Sequence, residues 1–357
     1  MSVSLNANQQ RFTFAALFLS AIAAFMALIL NTSIAGLRPL EKFPPDWTPA
    51  AYSAPELLVL MLSAVSGAIL AVFVQNGSFK SVESKRQDFQ WALPVGVLNT
   101  TLLLLAVVLT IAKPESFFAH IGEIGAISLA QSVLIAIAVA IFIRLSLARN
   151  AGCMKPVFGI PFRAVTTLCG LMLFLLLMEE ISWGQSYLGW ATPDMFAANI
   201  QNETNLHNFY TYRFELAYYT GAALAFCVLP IWVHSANVAI ARQLRPIVPA
   251  PLVGIAGLPL TAFLFESWSI VPLQIFFFLG LALAWSFYRR MQAPHSALPL
   301  AIFASMLISQ IFFVFEGHRL VGGHEYSEMR ELVISVMIFA YAAWLYSRWN
   351  AARALPA

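Results

Sequence analysis

Long apolar stretches recur along the whole chain and are separated by short polar connections. Many of them approach the ~20 residues that a helix needs to cross a hydrocarbon core. The apolar positions are continuous rather than alternating, which favours helices over the strands of a membrane barrel. We therefore predict an all-α, polytopic integral membrane bundle. Its ten predicted helices are 12–36, 55–76, 91–113, 122–147, 163–187, 212–234, 249–268, 270–288, 298–317 and 331–349.

The connections between these helices are too short to hold a soluble domain, so residues 1–357 are predicted to form a single transmembrane domain. The first apolar stretch is too long for the core of a signal peptide and lacks a clear cleavage site, so we interpret it as a true span. The predicted helices 249–268 and 270–288 nearly touch in sequence. They are either two helices or one broken element, and the sequence leaves both alternatives open.

Composition agrees with a membrane location. Sixty per cent of the residues are hydrophobic and 10% are charged, against about 25% charged residues in soluble proteins. The lipid bilayer is therefore the predicted partner, nothing predicts a nucleic-acid partner, and the oligomeric state stays open. Cys153, Cys169 and Cys227 are far apart, so neither a disulfide scaffold nor a thiolate metal site is indicated.

Basic residues predict the orientation. Fourteen of the 20 lysines and arginines fall in the N-terminal segment, alternate connections and the C-terminal segment, which places both termini in the cytoplasm by the positive-inside rule. Fifteen of the 17 acidic residues fall at or near the opposite face. We therefore expect a functional face directed away from the cytoplasm, in a cell membrane, either a plasma membrane or a bacterial inner membrane.

Three glutamates occupy equivalent positions in three predicted helices. Glu180, Glu266 and Glu316 lie in the similar sequences LLMEEISW, FLFESWS and FVFEGHR. Each comes seventeen residues after the residue taken as the inner end of its span, which is Arg163, Pro249 or Pro299. Seventeen residues of helix extend roughly 26 Å, so the three carboxylates are predicted at similar depth. They would line an outward-facing, water-filled cavity or, alternatively, sit separately at the membrane interface.

The stretch LLLMEEISWGQ holds the most unusual residues. Glu179 and Glu180 follow a strongly apolar run, and carboxylates at the edge of hydrocarbon are costly and usually functional. Neighbouring residues of a helix diverge by about 100°, so the two side chains face different surroundings. Gln185 would orient a substrate or a carboxylate. Trp183 would contact substrate or belong to the interfacial aromatic belt.

The stretch NIQNETNLHN follows at 199–208. If it is helical, Glu203 and His207 share a face at i and i+4, a spacing that suits a metal or an acid–imidazole pair. Asn205 and Asn208 would then orient the imidazole. The alternative is a loop whose amides cap the next helix.

A third polar stretch, FEGHRLVGGHEYSEMRE, spans 315–331. His318 and His324 are candidates for ligation or proton transfer, and Arg319 is a candidate anion-binding group. The i+3 spacing of Glu325, Glu328 and Glu331 indicates a solvated helix start, which favours acidic residues.

The paired glutamates and the later Asn-Leu-His-Asn resemble the CAAX-type glutamate intramembrane proteases. That family carries EExxxR, then FxxxH, then a His–Asn motif. Here Glu179 and Glu180 are followed by Ile-Ser-Trp-Gly-Gln, with no arginine at the expected offset. The resemblance covers a handful of residues, and the chain is not assigned to the family on it.

We therefore expect an enzyme, a hydrolase or transferase, acting on a lipid, lipid-linked or membrane-embedded substrate. A proton-coupled transporter or channel and a non-catalytic assembly partner are the alternatives. The expected catalytic residues are Glu179, Glu180, His207, Glu316 and His318. The expected substrate-binding residues are Trp183, Gln185, Glu203, Asn205, Asn208, Glu266, Arg319 and His324. A divalent metal stays open, with Glu180, His207 and His318 as candidate ligands, but no HExxH-like spacing supports one.

Overall fold

The computed structural model describes residues 7–33, 53–75, 86–112, 120, 125–148, 154–199, 202–263, 270–316 and 326–354. Within these ranges nine helices are long and apolar enough to cross a membrane. Apart from a single bridge between Val157 and Ile160, the described ranges contain no β-structure. The predicted all-α polytopic bundle is confirmed, whereas the orientation and the full helix count stay predictions.

The helices follow one another as the hydropathy pattern predicts. They are α1 Ala7–Ser33, α2 Ala54–Gln75, α3 Arg86–Ala112, α4 Ala126–Leu147, α5 Phe162–Glu180, α6 Gln185–Leu188, α7 Thr211–Ala222, α8 Leu229–Ser235, α9 Ala239–Leu244, α10 Pro251–Gly257, α11 Val271–Arg290, α12 Ala297–Glu316 and α13 Ser327–Ala354. A π-helical turn, Ala223–Val228, joins α7 and α8 into one span.

Two predicted helices end earlier than expected. The helix predicted at 163–187 ends at Glu180, because Ser182, Trp183 and Gly184 adopt positive φ angles of 47°, 56° and 100°. The helix predicted at 249–268 becomes a 3-10 turn at Leu258–Thr261. Pro259 lacks an N–H and its ring opposes the carbonyl four residues earlier, so the α-helix cannot continue through it.

Helices α10 and α11 are separate elements. The chain leaves helical geometry at residues 262–263, and α11 begins anew at Val271. Arg330 of α13 donates hydrogen bonds from Nη2 to the carbonyl oxygens of Ala262, at 2.8 Å, and of Phe263. The guanidinium thereby supplies hydrogen bonds to carbonyl groups just beyond the end of a short helix. These groups are buried, so their donors must come from the protein.

Helix α13 lies at the centre of the bundle. Seventy-two per cent of its apolar window is buried, and it packs against α3, α4 and α10. Helix α4 also packs against α5, and α11 packs against α2 and α12. Side-chain hydrogen bonds link these helices at depth: Asn99 Nδ2 donates to Ala256 O at 3.0 Å, and Gln131 Nε2 donates to Glu328 O at 2.7 Å.

The α2–α11 contact depends on a glycine. A Cβ atom at Gly67 would lie 2.7 Å from both Ile275 O and Leu279 N, which are backbone atoms that cannot move aside without shifting α11. We therefore expect Gly67→Ala to destabilise the protein by about 1–3 kcal/mol, measured as a lower melting temperature in detergent. Gly221→Ala is the matched control, since a Cβ there meets no atom within 4 Å. Equal melting temperatures for the two variants would contradict this packing.

Candidate functional site

The chain between α5 and α7 folds back onto the end of α5. We call its described parts, residues 181–199 and 202–210, the connecting segment. The left-handed backbone at Ser182 and Trp183 costs free energy, since residues other than glycine rarely adopt it. Hydrogen bonds from the second half of the connecting segment hold this turn in place.

Glu203 is the centre of the first group of these bonds. Its Oε2 accepts hydrogen bonds from Ser182 Oγ at 2.7 Å, Asn205 Nδ2 at 2.8 Å and Asn208 Nδ2 at 3.3 Å. The three donor residues are almost fully buried. Glu203, Asn205 and Asn208, all expected to contact substrate, are therefore engaged with one another and with the turn after α5.

Gln185 joins the two halves of the connecting segment through both ends of its amide. Its Oε1 accepts the backbone N–H of Thr204 at 2.6 Å, and its Nε2 donates to Thr192 Oγ1 at 2.8 Å. Gln185 was expected to orient a substrate or a carboxylate, and in the structure its amide instead binds a backbone N–H and a threonine hydroxyl of the loop. Around Glu203 the segment forms a loop, not the helix that the i, i+4 pairing of Glu203 with His207 requires.

Glu179 holds the part of the loop that carries the histidine. Its Oε2 accepts the backbone N–H groups of Leu206 at 2.7 Å and His207 at 3.2 Å, and its Oε1 accepts the Trp183 indole N–H at 3.0 Å. The same Oε2 lies 3.5 Å from His207 Nδ1. The Phe214 ring also packs near the imidazole, and the centroids of the two rings are 5.1 Å apart. Glu179 and His207 therefore form a carboxylate–imidazole pair.

The surroundings of His207 favour its neutral form. Burial lowers the pKa of the imidazole below its ordinary value, and this outweighs Glu179 and Glu203, which raise the pKa. Nδ1 lies 3.5 Å from Glu179 Oε2 without forming a hydrogen bond, and a proton on Nδ1 is the tautomer that this neighbouring carboxylate favours. Among the described residues, no group hydrogen-bonds to Nε2. A neutral imidazole whose Nε2 makes no hydrogen bond has the chemistry that general-base catalysis requires.

Glu180 faces a different group of residues from its neighbour. Its carboxyl interacts electrostatically with Glu328, which belongs to α13, and Glu331 of the same helix interacts with both. We call Glu180, Glu328 and Glu331 the acidic cluster. Tyr218 of α7 lies close enough to interact with all three. The two adjacent glutamates of α5 thus serve two environments, as their angular separation on a helix requires.

The other members of the acidic cluster have hydrogen-bond donors. Glu328 Oε2 accepts bonds from Ser128 Oγ at 3.2 Å and Gln131 Nε2 at 3.0 Å, both on α4. Glu331 Oε1 accepts the Tyr219 hydroxyl at 2.8 Å. Among the described residues, no group donates a hydrogen bond to the Glu180 carboxyl. Glu180 is therefore the member of the acidic cluster without a hydrogen-bond donor in the described part of the chain.

Sequence reasoning missed the contribution of α13 to this site. Glu328 and Glu331 were interpreted as a solvated helix start, yet their i, i+3 spacing places both on the face that meets α4, α5 and α7. The arginine between them, Arg330, is buried and lies 4.6 Å over the Tyr219 ring. Two acidic residues that flank a basic residue at the start of an apolar helix were the sequence signal that could have indicated this part of the site.

The other expected site residues divide into two groups. Glu316 is the last residue of α12, as Glu180 is of α5, but α12 packs against α3 and α11, so the two glutamates belong to different helix pairs. Glu266, His318, Arg319 and His324 lie outside the described residues. Within the described part of the chain, no group of three or more His, Cys, Asp or Glu residues is arranged to hold a metal ion.

Comparisons of the chain with protein-family models, curated proteins and solved structures find no match. The resemblance to the CAAX-type proteases therefore rests on the residues quoted for it, of which the structure brings Glu179 and His207 together.

Removal of the Glu203 carboxylate tests the loop network. We expect Glu203→Ala to remove the acceptor that three buried donors share and to destabilise the connecting segment by about 1–3 kcal/mol. Limited proteolysis in nanodiscs, followed by mass spectrometry, should then detect faster cleavage between residues 182 and 210. Asp194→Asn is the control, because Asp194 is an exposed acid of the same segment. Equal cleavage rates in both variants would show that Glu203 does not hold the segment.

Proposed function

We propose that this chain is an integral membrane enzyme, a hydrolase or a transferase, that acts on a lipid, lipid-linked or membrane-embedded substrate. The observation that carries the proposal is the Glu179–His207 pair at the end of α5, with Nδ1 of the imidazole directed at the carboxylate. His207 is the proposed general base, and Glu179 is the residue that positions it.

The proposed chemistry uses the two nitrogens of His207 differently. Nε2 takes a proton from water or from a substrate hydroxyl, which then attacks the substrate. Glu179 fixes the tautomer and stabilises the imidazolium that forms, as the carboxylate does in acid–histidine catalytic pairs. The three N–H groups that bind Glu179 keep its carboxylate in one orientation. General-base catalysis of this kind contributes about 10²–10⁴-fold to a rate.

Glu180 is the second proposed acid–base group. It lies one residue from Glu179 and interacts most strongly with Glu328 of α13, and more weakly with Glu179 and Glu203. The end of α5 therefore presents two carboxylates with different principal neighbours. Carboxylates placed in contrasting surroundings divide the roles of acid and base in many enzymes. Glu180 would start protonated and donate its own proton to the leaving group, with Tyr218 beside it. The proton taken by His207 and the one lost by Glu180 would then be exchanged with water, which resets both groups.

The position of the pair supports an amphiphilic substrate. Glu179 ends one span, and His207 comes shortly before the next, which begins at Arg213. A lipid whose tails lie against the bundle therefore places its polar portion at the level of the pair. The distribution of basic residues directs this end of the bundle away from the cytoplasm of the host cell.

One observation favours transport as a second candidate. Helix α10 has seven residues, and the following 3-10 turn has four, so together they extend less than roughly 20 Å. Short or interrupted helices that end inside a bundle are typical of secondary transporters. Uptake into proteoliposomes that requires a pH gradient, in the absence of any covalent change in the substrate, would favour this candidate over the enzyme.

The enzyme proposal predicts the behaviour of three variants. The assay incubates the protein in nanodiscs with phospholipids, diacylglycerol and polyprenyl phosphates, and mass spectrometry follows the products. We expect His207→Ala to lower kcat by about 10²–10⁴-fold and Glu179→Gln to lower it because the tautomer is no longer fixed. His295→Ala is the matched control, since His295 packs on Phe89 at the opposite end of the bundle. Full turnover by folded His207→Ala would exclude His207 as the base.

The pH dependence of turnover follows from the lowered pKa of His207. A general base must be neutral, so the acid limb of the kcat profile should lie below pH ~6.5, where the pH falls through the lower, folded-state pKa of His207. Glu179 raises this pKa, so Glu179→Gln should move the acid limb of the profile to still lower pH. An acid limb centred above pH ~6.5, or a shift to higher pH in Glu179→Gln, would contradict the assignment.

A further inference from the structure

The connecting segment has its polar side chains inside and its large apolar side chains outside. Ser182, Asn205 and Asn208 are at most 1% exposed and bond to Glu203. In contrast, seven large apolar or aromatic side chains of the segment are at least 40% exposed, and two of them exceed 70%. The seven are Trp183, Tyr187, Leu188, Trp190, Met195, Leu206 and Tyr210.

Such an inverted arrangement is unfavourable in water. Each Å² of apolar surface left in water costs about 25 cal/mol, and water-soluble surfaces rarely carry a continuous patch of this kind. The backbone of the segment forms hydrogen bonds within its own turns, which lowers the cost of placing it in a region with little water. Examples are Gly184 N to Ile181 O and Phe196 N to Pro193 O, both at 2.8 Å. Trp and Tyr side chains are enriched where a protein meets the headgroup layer.

The exposed patch continues a surface that faces lipid. Leu171, Met172 and Leu175 of α5 are 49–63% exposed and belong to a membrane span. The connecting segment begins directly after that span and ends shortly before the next.

The connecting segment lacks lysine and arginine, since neither occurs between Arg163 and Arg213. It therefore has no lysine or arginine with which to bind an acidic partner or anionic lipid.

We propose that the connecting segment is an interfacial platform, embedded in the boundary between headgroups and acyl chains at the end of α5. Its partner is the lipid leaflet itself, through Leu188, Met195, Leu206 and the neighbouring aromatic rings. Attachment is apolar and independent of anionic lipid. Because Leu206 immediately precedes His207, the platform also leads lipid to the Glu179–His207 pair. That last consequence rests on the proposed function, whereas the platform does not.

Site-specific quenching tests the platform without any assay of activity. Cys153, Cys169 and Cys227 are replaced by alanine, and single cysteines at Leu188, Met195 and Leu206 are labelled with an environment-sensitive fluorophore in nanodiscs. Nitroxides at shallow and deep acyl positions probe the lipid, and iodide probes the water. Met172→Cys, which faces the acyl core, and Gln292→Cys, which is exposed at the opposite end of the bundle, are the controls.

An interfacial platform lies about 5–10 Å into the boundary, so the shallow nitroxide should quench the three labels at least about twofold more than the deep one. Iodide should quench them far less than it quenches Gln292→Cys, and replacement of zwitterionic by anionic lipid should change nothing. Iodide quenching equal to that of Gln292→Cys would show a water-exposed segment. Protection from both lipid and aqueous quenchers would show a protein partner or a second copy of the chain. Either result overturns the proposal.

Discussion

The bonds of the Glu179 carboxylate determine the shape of the site. A carboxylate at the end of an apolar helix needs hydrogen-bond donors, because the hydrocarbon beside it offers none. Two successive amides, those of Leu206 and His207, supply them from 27 and 28 residues further along the chain. This requirement closes the connecting segment over the end of α5, and it places the imidazole against the same carboxylate.

The adjacent position of Glu180 divides the two acids between two neighbourhoods. Glu179 belongs to the loop, while Glu180 belongs to the helices α13 and α7 through Glu328, Glu331 and Tyr218. The central helix α13 therefore has two functions at this end of the bundle. It contributes two members of the acidic cluster, and between them it supplies Arg330, which binds the carbonyl groups after α10.

Hydropathy was sufficient to predict the fold class, because spans of continuous apolar residues admit few alternatives to helices. The helix ends were less predictable. Nothing in the residue types of Ser182 and Trp183 indicates a left-handed backbone. In the structure that backbone is accompanied by hydrogen bonds from Ser182 to Glu203 of the loop and from Trp183 to Glu179 at the end of α5. Pro259, by contrast, carried its own signal for the early end of α10.

The candidate site was predictable in part. The rarity of such residues beside apolar runs singled out Glu179, Glu180 and His207 as candidates, but their mutual placement, with His207 Nδ1 3.5 Å from Glu179, required the structure. Glu328 and Glu331 could not be assigned from sequence, because a solvated helix start and a buried acidic face have the same spacing. Glu203 and His207 would share a face only if this stretch were helical, and a loop was the alternative. The structure has a loop, in which Ser182 and Asn205 donate hydrogen bonds to Glu203.

The protonation state of His207 tests the central claim most directly, since the proposed base requires a neutral ring with its proton on Nδ1. Nitrogen-15 NMR of histidine-labelled protein in lipid, assigned by comparison with His207→Gln, reports both ring nitrogens at once. At pH 7 we expect a protonated Nδ1 and an unprotonated Nε2, and we expect this tautomer to lose its preference in Glu179→Gln. A proton on Nε2 with a bare Nδ1, or an imidazolium at pH 7, would contradict the account.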